Sequence, residues 1–303
     1  MEKVSVIIPV YNKFDKLFSA IDSALSQDYP ELEIIVSDDG SKDFPFRKVE
    51  EYILEKKQDN LFNYEIIANK KNMGTVRNMN GAIKASHGDI LINLAGDDRF
   101  CEKNTVSKIV DYMDQNSLDN LVCRRKTVED NFIPNDRQVK FLKKFNTANK
   151  QKKAIVNGYL LASGSVFSIR KQLIDRLDLY DERYILIEDM PFFYKMTQNN
   201  IKINFNYDIT SVVYSEDGVS GVKNKKFQTD EKNFLVNIIK SKENDTDIKR
   251  VAKYRLIRKY RYNNLKKISK IKFYIDYLDI IMYRMFDFIN DRVGEKLDKI
   301  KRR

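Results

Sequence analysis

Val4-Ser5-Val6-Ile7-Ile8-Pro9-Val10 is an apolar run interrupted only by one serine and one proline. Such a run suits a strand covered on both faces, as strands of a parallel sheet are. Outward from it, Phe14, Leu17, Phe18, Ile21, Ala24 and Leu25 recur at helical spacing. Residues 32–36 read as a second strand, ending in Ser37-Asp38-Asp39-Gly40-Ser41. Val49, Tyr52 and Ile53 mark a short helix, and residues 64–68 a third strand. Asn72-Met73-Gly74 breaks the chain before a helix over residues 75–85, and residues 89–94 form a fourth strand ending at Gly96-Asp97-Asp98. Alternating strands and helices predict an α/β fold with a mostly parallel sheet and right-handed crossovers. Ligands of such sheets bind beyond the carboxyl ends of the strands. Here that edge carries Tyr11-Asn12, Asp38-Asp39, residues 72–77 and Asp97-Asp98, polar or acidic at every strand end.

The composition excludes several classes. With 42% hydrophobic residues among 303, the chain can bury a real core. Cys101 and Cys123 form no disulfide framework and no metal-site spacing, so both read as small core residues of a reduced, cytoplasmic protein. The first ten residues lack a basic leader segment and a small-residue cleavage site, and no stretch of 18 apolar residues predicts a membrane span. The net charge of +11 is concentrated at one end: residues 249–303 hold 18 Lys/Arg against 6 Asp/Glu. The remainder is close to neutral, which argues against nucleic acid as the main ligand.

Chemistry is suggested at the acidic pairs. Asp97-Asp98, after a glycine at a strand end, can hold a hard divalent cation against phosphate oxygens, or can serve as a turn and helix cap. Asp38-Asp39-Gly40 can accept hydrogen bonds from a base or ribose, or can form an ordinary Asp-Gly turn. Tyr11 can stack on a nucleobase or pack at the rim. Arg77, near a helix start, can meet phosphate or make a surface ion pair. Glu188-Asp189 before Met190-Pro191 offers a general base or a helix cap. His87, the only histidine, reads as a turn residue between helix and strand. Residues 100–220 are less regular. They include a basic stretch at 137–153 read as mobile, the small-residue turn Ala162-Ser163-Gly164-Ser165, and an aromatic helix over residues 192–196.

Taken together, the ordered motifs resemble the family 2 inverting glycosyltransferases of the GT-A fold, of the bacterial polysaccharide type. The resemblance covers residues 3–220. It rests on Val4-Ser-Val-Ile-Ile-Pro-Val-Tyr-Asn12, Ile34-Ile-Val-Ser-Asp-Asp-Gly-Ser-Lys-Asp43, Asn72-Met-Gly-Thr-Val-Arg-Asn78, Gly88-Asp-Ile-Leu-Ile-Asn-Leu-Ala-Gly-Asp-Asp98 and Ile187-Glu-Asp189. It implies transfer of a sugar from a nucleotide-diphosphate donor, a UDP-sugar in the usual case, to an acceptor hydroxyl of a glycan or lipid-linked acceptor. Pro9, Tyr11, Asn12, Asp38, Asp39 and Arg77 would then border the nucleotide. Asp97 and Asp98 would stand at a Mn2+ or Mg2+ site, Asp189 would be the base with Glu188 beside it, and Ser163, Gly164 and Ser165 would face the acceptor. Two departures from the family pattern are visible. Ala95 stands where the family often has the first Asp of its fourth-strand motif. Tyr214-Ser-Glu-Asp-Gly-Val-Ser220 stands where many members carry a His, with Glu216 or Asp217 as substitute ligands.

The expected organisation is a catalytic domain over residues 1–222, with a nucleotide half to residue 99 and an acceptor half after it, followed by a basic helical region over 223–303. Residues 271–289 are nearly all apolar and aromatic apart from Lys272, Asp276, Asp279, Arg284 and Asp287. They suit either a helix lying on an anionic membrane at the inner face of the cell or a packed or dimerising helix. A catalytically degenerate nucleotide-sugar-binding or membrane-scaffolding protein, and a nucleic-acid binder acting through the tail, are the competing functional readings.

Overall fold

The apolar run is strand β1 (Val4–Val10), flanked by parallel neighbours on both sides. The computed structural model describes residues 1–159, 163–215, 224–242 and 245–282. These form two compact units, one of residues 1–155 with 159–231 and one of 156–158 with 232–303.

In the first unit the order is β1, α1 (Leu17–Leu25), β2 (Leu32–Asp38), α2 (Phe46–Lys56), β3 (Leu61–Ala68), α3 (Thr75–Ala85), β4 (Ile90–Asn93) and β5 (Arg99–Phe100). It continues through α4 (Thr105–Gln115), β6 (Asn120–Thr127), β7 (Phe132–Ile133), α5 (Asp136–Leu142), α6 (Ala148–Asn157), β8 (Phe167–Arg170), α7 (Lys171–Arg176), α8 (Asp189–Gln198) and β9 (Phe205–Tyr214). One sheet runs β3-β2-β1-β4-β8-β6-β9-β5, with β7 beside β6. The strands β3, β2, β1 and β4 are parallel, β8 is antiparallel to both β4 and β6, and β6 and β9 are parallel. Ile7, Ile8, Ile34, Ile35 and Ile90 are fully buried, as strands covered on both faces require.

Because β8 runs against β4, the turn that precedes it, residues 163–166, lies at the carboxyl end of β4. Thr127 pairs with Tyr214, so β6 and β9 also end together. The parallel strands and the turns of the second half therefore deliver their loops to one edge.

The basic stretch at 137–153 is not a loop. It forms most of α5 and α6. Asn135 and Gln138 make a reciprocal capping box at the start of α5, the arrangement that satisfies the free N–H groups of a first turn. Leu142, Ala148, Ala154 and Ile155 are buried. The buried amide of Gln151 both donates to the Ile203 carbonyl and accepts from its N–H, each at 2.8 Å. Lys140, Lys150 and Lys153 lie on the solvated faces of these helices, whereas Lys152 is buried. Of the two cysteines, Cys123 is buried, but Cys101 is only partly so.

One buried carboxylate ties the parallel half of the sheet together. Glu33 accepts the Ser5 hydroxyl at 2.5 Å, Asn63 Nδ2 at 2.6 Å, His87 N–H at 2.8 Å and His87 Nδ1 at 2.7 Å. It links β1, β2, β3 and the turn between α3 and β4, where His87 was expected. Burial alone would raise the Glu33 pKa, but these hydrogen bonds outweigh it and hold the pKa below the ordinary 4.5.

In the second unit, α9 (Lys225–Lys240), which begins in the first, is followed by α10 (Thr246–Tyr260) and α11 (Lys267–Asp276), with residues 278–282 again helical. Tyr254, Phe273, Tyr277 and Ile280 form its core, and Arg250 makes two 2.7 Å hydrogen bonds to Asp279. Residues 283–289 of the predicted tail helix, with Arg284 and Asp287, lie outside the described residues. Among those described, no helix is long and apolar enough to cross a membrane.

Glu33→Ala strands the Ser5 hydroxyl and the His87 N–H and should cost about 3 kcal/mol of stability near neutral pH, read by urea unfolding. A depressed carboxylate pKa stabilises the fold above its unfolded value, and this stabilisation is lost as pH falls through the folded value. The gap between wild type and variant should therefore close below pH 4.5. A pH-independent gap would count against the ionised pin.

Candidate active site

At the ends of β1 and β2 most of the expected nucleotide residues hold the loops around them. The Pro9 carbonyl accepts the Gly96 N–H at 3.0 Å, joining the ends of β1 and β4. Asn12, in the left-handed region at φ 52°, donates its N–H to Ser41 Oγ at 2.7 Å and accepts the Lys42 N–H at 3.1 Å. Asp38 accepts the Ser41 N–H at 2.8 Å and the Ser41 hydroxyl. Asp39 is buried and accepts the Met73 N–H at 2.7 Å, the Gly74 N–H at 3.0 Å and Asn72 Nδ2 at 3.0 Å. It holds the turn that opens α3. Its pKa is raised by burial, against the pull of those backbone hydrogen bonds. Tyr11 is exposed at the same edge, and Arg77 is exposed in an ion pair with Glu182 at 3.4 Å.

Gly74 takes φ +89°, and a Cβ there would lie 2.5 Å from the Ile185 carbonyl oxygen. The α3 turn thus rests directly on the segment leading to Glu188-Asp189, and Val76 N–H donates to that carbonyl at 3.2 Å. From the other side, the buried carboxylate of Asp230 in α9 accepts the N–H groups of Ile185 and Leu186 at 2.8 and 2.7 Å.

Asp189 is the first residue of α8. Its Oδ1 accepts the Met190 N–H at 2.6 Å and its Oδ2 the Gly164 N–H at 3.3 Å. The Gly164 carbonyl accepts Asn93 Nδ2 at 3.1 Å, so the 163–165 turn bridges the end of β4 to the start of α8. A Cβ on Gly164 would come within 2.6 Å of Glu188 Oε1. Burial raises the pKa of both carboxyls, Glu188 to about 8, where the charge of Asp189 adds to the effect. Two such groups side by side carry one negative charge between them more readily than two.

Asp98 is buried, and its Oδ1 accepts the Ser215 N–H at 2.8 Å. Its Oδ2 is buried without a hydrogen-bond partner among the described residues. Burial pushes its pKa up to about 7, with the Asp97 charge adding to the effect. Asp97 beside it is half-buried. An orphaned carboxylate oxygen next to a second carboxylate fits a hard divalent cation, with phosphate oxygens completing the ligands. Among the described residues no third Asp, Glu, His or Cys joins them. Glu216 and Asp217 lie outside the described residues, as does Ala162.

Arg125 of β6 sits between these groups. Its guanidinium donates to Ser163 Oγ at 3.3 Å and Ser165 Oγ at 3.2 Å and lies 4.0 Å over the Tyr214 ring. Its charge acts on both Asp98 and Asp189. Arg125, Ser215 and Asp230 were not singled out in the sequence. Arg125 stands in Arg124-Arg125-Lys126, which reads as an exposed basic strand, and Asp230 lies in a helix rich in lysine. Their roles come from contacts across 38 or more residues of chain.

The profile of the family described as Glycosyl transferase family 2 matches residues 5–177. A poly(ribitol-phosphate) beta-N-acetylglucosaminyltransferase, TarS, of Staphylococcus aureus is 30% identical over 136 residues, 44% of this chain and 23% of its own length. An uncharacterized glycosyltransferase of Rickettsia typhi is 29% identical over 213 residues, 68% of this chain and 62% of its own. The chain thus spans less than two thirds of either relative. The crystal structure of S. aureus TarS 1–349 in complex with UDP-GlcNAc superposes with a TM-score of 0.63 at 21% identity, covering 92% of this chain and 80% of that one. A mannosyltransferase from Pyrobaculum calidifontis in complex with GDP-Man and Mn2+ superposes at 0.62 and 16% identity, covering 85% and 70%. With its parallel nucleotide half, its mixed second half and this family match, the chain belongs to glycosyl transferase family 2 and has the GT-A fold.

Proposed function

We propose that the chain moves a sugar from a nucleotide-diphosphate donor, a UDP-sugar, to an acceptor hydroxyl in a cell-surface polysaccharide or glycoconjugate, with inversion at the anomeric carbon. The observation that carries this reading is the half-buried Asp189 carboxylate, held against the 163–165 turn, with the Arg125 charge acting on both it and Asp98. In the proposed step Asp189 takes the acceptor hydroxyl's proton as that oxygen bonds to the anomeric carbon. The bond to the diphosphate oxygen breaks, and its electron pair leaves with the diphosphate. One base and one displacement invert the centre.

The neighbouring groups have supporting parts. Glu188, held protonated by burial and by Asp189, leaves the pair a single charge. Arg125 supplies positive charge on the side where the leaving group's negative charge develops. Asp97 and Asp98 would hold a divalent cation, which neutralises diphosphate charge when bound. A UDP donor is supported by the neighbour solved with UDP-GlcNAc, whereas the other was solved with GDP-Man, so the base is to be read by titration.

Thermal unfolding of the full chain with UDP or GDP, with and without Mn2+, tests the donor site. A ligand at about a hundred times its Kd adds about 2.7 kcal/mol to the folded state. The expected result is a rise with UDP, enlarged by Mn2+ and lost in Asp97→Asn. No rise with either nucleotide would overturn the reading. Asp189→Asn should keep that rise and lower kcat by about 100- to 10,000-fold.

Asp189 works ionised, and its pKa is raised, so kcat should fall with decreasing pH along a limb centred above the ordinary aspartate value of 3.8. A limb at or below that value would remove Asp189 as the base. Asp230 is a positioning residue. Asp230→Ala frees residues 185–186 and should lower kcat by about 10- to 100-fold, while Asp230→Asn, which keeps an acceptor oxygen, should restore most of it. Wild-type kcat in Asp230→Ala would dismiss the clamp.

A further inference from the structure

The helical segment over residues 267–282 is apolar on more than the side its own unit uses. Phe273, Tyr277 and Ile280 are buried with Tyr254, and the Tyr254 and Phe273 rings stack at 5.5 Å. That is the packed side. Ile268, Ile271, Ile275, Leu278 and Met282 are all exposed, Ile268 and Ile275 by 82% and 70%. They follow one another at steps of three and four residues, the spacing of a helical stripe, which continues past the turn residue Tyr277 from α11 into residues 278–282. A stripe of five large apolar side chains in water is a recognition surface rather than ordinary scatter.

Its surroundings select the partner. Lys266, Lys267 and Lys272 are exposed in the same stretch, and Lys270 lies among them. The acidic Asp279 is already paired with Arg250. The terminal 55 residues, this stretch included, carry 18 Lys/Arg against 6 Asp/Glu. Nucleic acid would use the cations and leave five apolar side chains in water. A second copy would cover the stripe but bring two strongly basic tails together. A surface that is apolar inside and negative outside satisfies both features at once, and Tyr274, exposed beside the stripe, has the amphipathic ring that such a boundary favours.

We propose that residues 267–282 dock on an anionic lipid bilayer, with Ile268, Ile271, Ile275, Leu278 and Met282 entering the acyl boundary and the neighbouring lysines meeting the headgroups. The helix lies on the bilayer and does not cross it. This surface is separate from the transfer chemistry, and its test does not depend on catalysis.

The full chain should co-sediment with vesicles containing about one third phosphatidylglycerol and far less with phosphatidylcholine alone, and added salt should release it. Ile271→Ser/Ile275→Ser alters only exposed side chains. With unfolding temperature unchanged, it should weaken vesicle binding by about 10-fold or more. Lys267→Gln/Lys272→Gln should weaken it on anionic vesicles only. Absence of vesicle binding, or binding unchanged in the isoleucine variant, overturns the proposal. So does a solution dimer that the isoleucine variant dissociates, which would assign the stripe to a second copy.

Discussion

Backbone N–H groups left free in loops must find acceptors once those loops are packed against a sheet. In this chain buried or half-buried carboxylates meet that need at nearly every loop of the site. Asp39 takes two N–H groups of the α3 turn, Asp98 takes one from the end of β9, Asp189 takes one from the 163–165 turn, and Asp230 takes two from residues 185–186. Two of these carboxylates, Asp98 and Asp189, are also the ones to which the proposed reaction gives chemical roles. Negative charge is thereby concentrated at one sheet edge and kept partly out of water. That placement raises the pKa of Asp39, Asp98, Glu188 and Asp189. Positive partners are then required there, and Arg125 is placed among them.

The sheet makes this concentration possible. Four parallel strands put their loops at one edge. A single antiparallel strand, β8, brings its preceding turn to that edge as well. Neighbouring strands of opposite direction thus place the end of β4 and the 163–165 turn within hydrogen-bond reach, as the Asn93–Gly164 contact shows. Glu33, on the far side of the same strands, holds their other ends in register.

The nucleotide half was legible because its signals are local. A buried parallel strand announces itself by composition, and Asp38-Asp39-Gly40 or Gly96-Asp97-Asp98 announces its end. The Thr75–Ala85 helix was read to its boundaries, since Gly74 starts it and the apolar period runs through it. The second half was harder. Lysines obscured the apolar faces of α5 and α6, which are set by Leu142, Ala148 and Ile155. Asp189 and the 163–165 turn were both expected at the site, and the structure brings them into contact. Arg125 and Asp230 were not found, because nothing within a few residues of either reveals the loop it will meet. Arg77 was expected beside the base or diphosphate, with a surface ion pair as the alternative, and it stands in an exposed ion pair with Glu182, a choice that spacing along one helix cannot make.

The place of Asp230 also bears on how the molecule can be divided. The family profile ends at residue 177, and the last strand of the sheet ends at Tyr214. A piece trimmed after Tyr214 keeps every strand described here yet leaves the Ile185 and Leu186 N–H groups without the acceptor that lies further along the chain. The smallest portable version of this chain is therefore longer than its recognisable fold. Any graft, fusion or exchange of tails between relatives has to carry the opening turns of α9 along with the catalytic body.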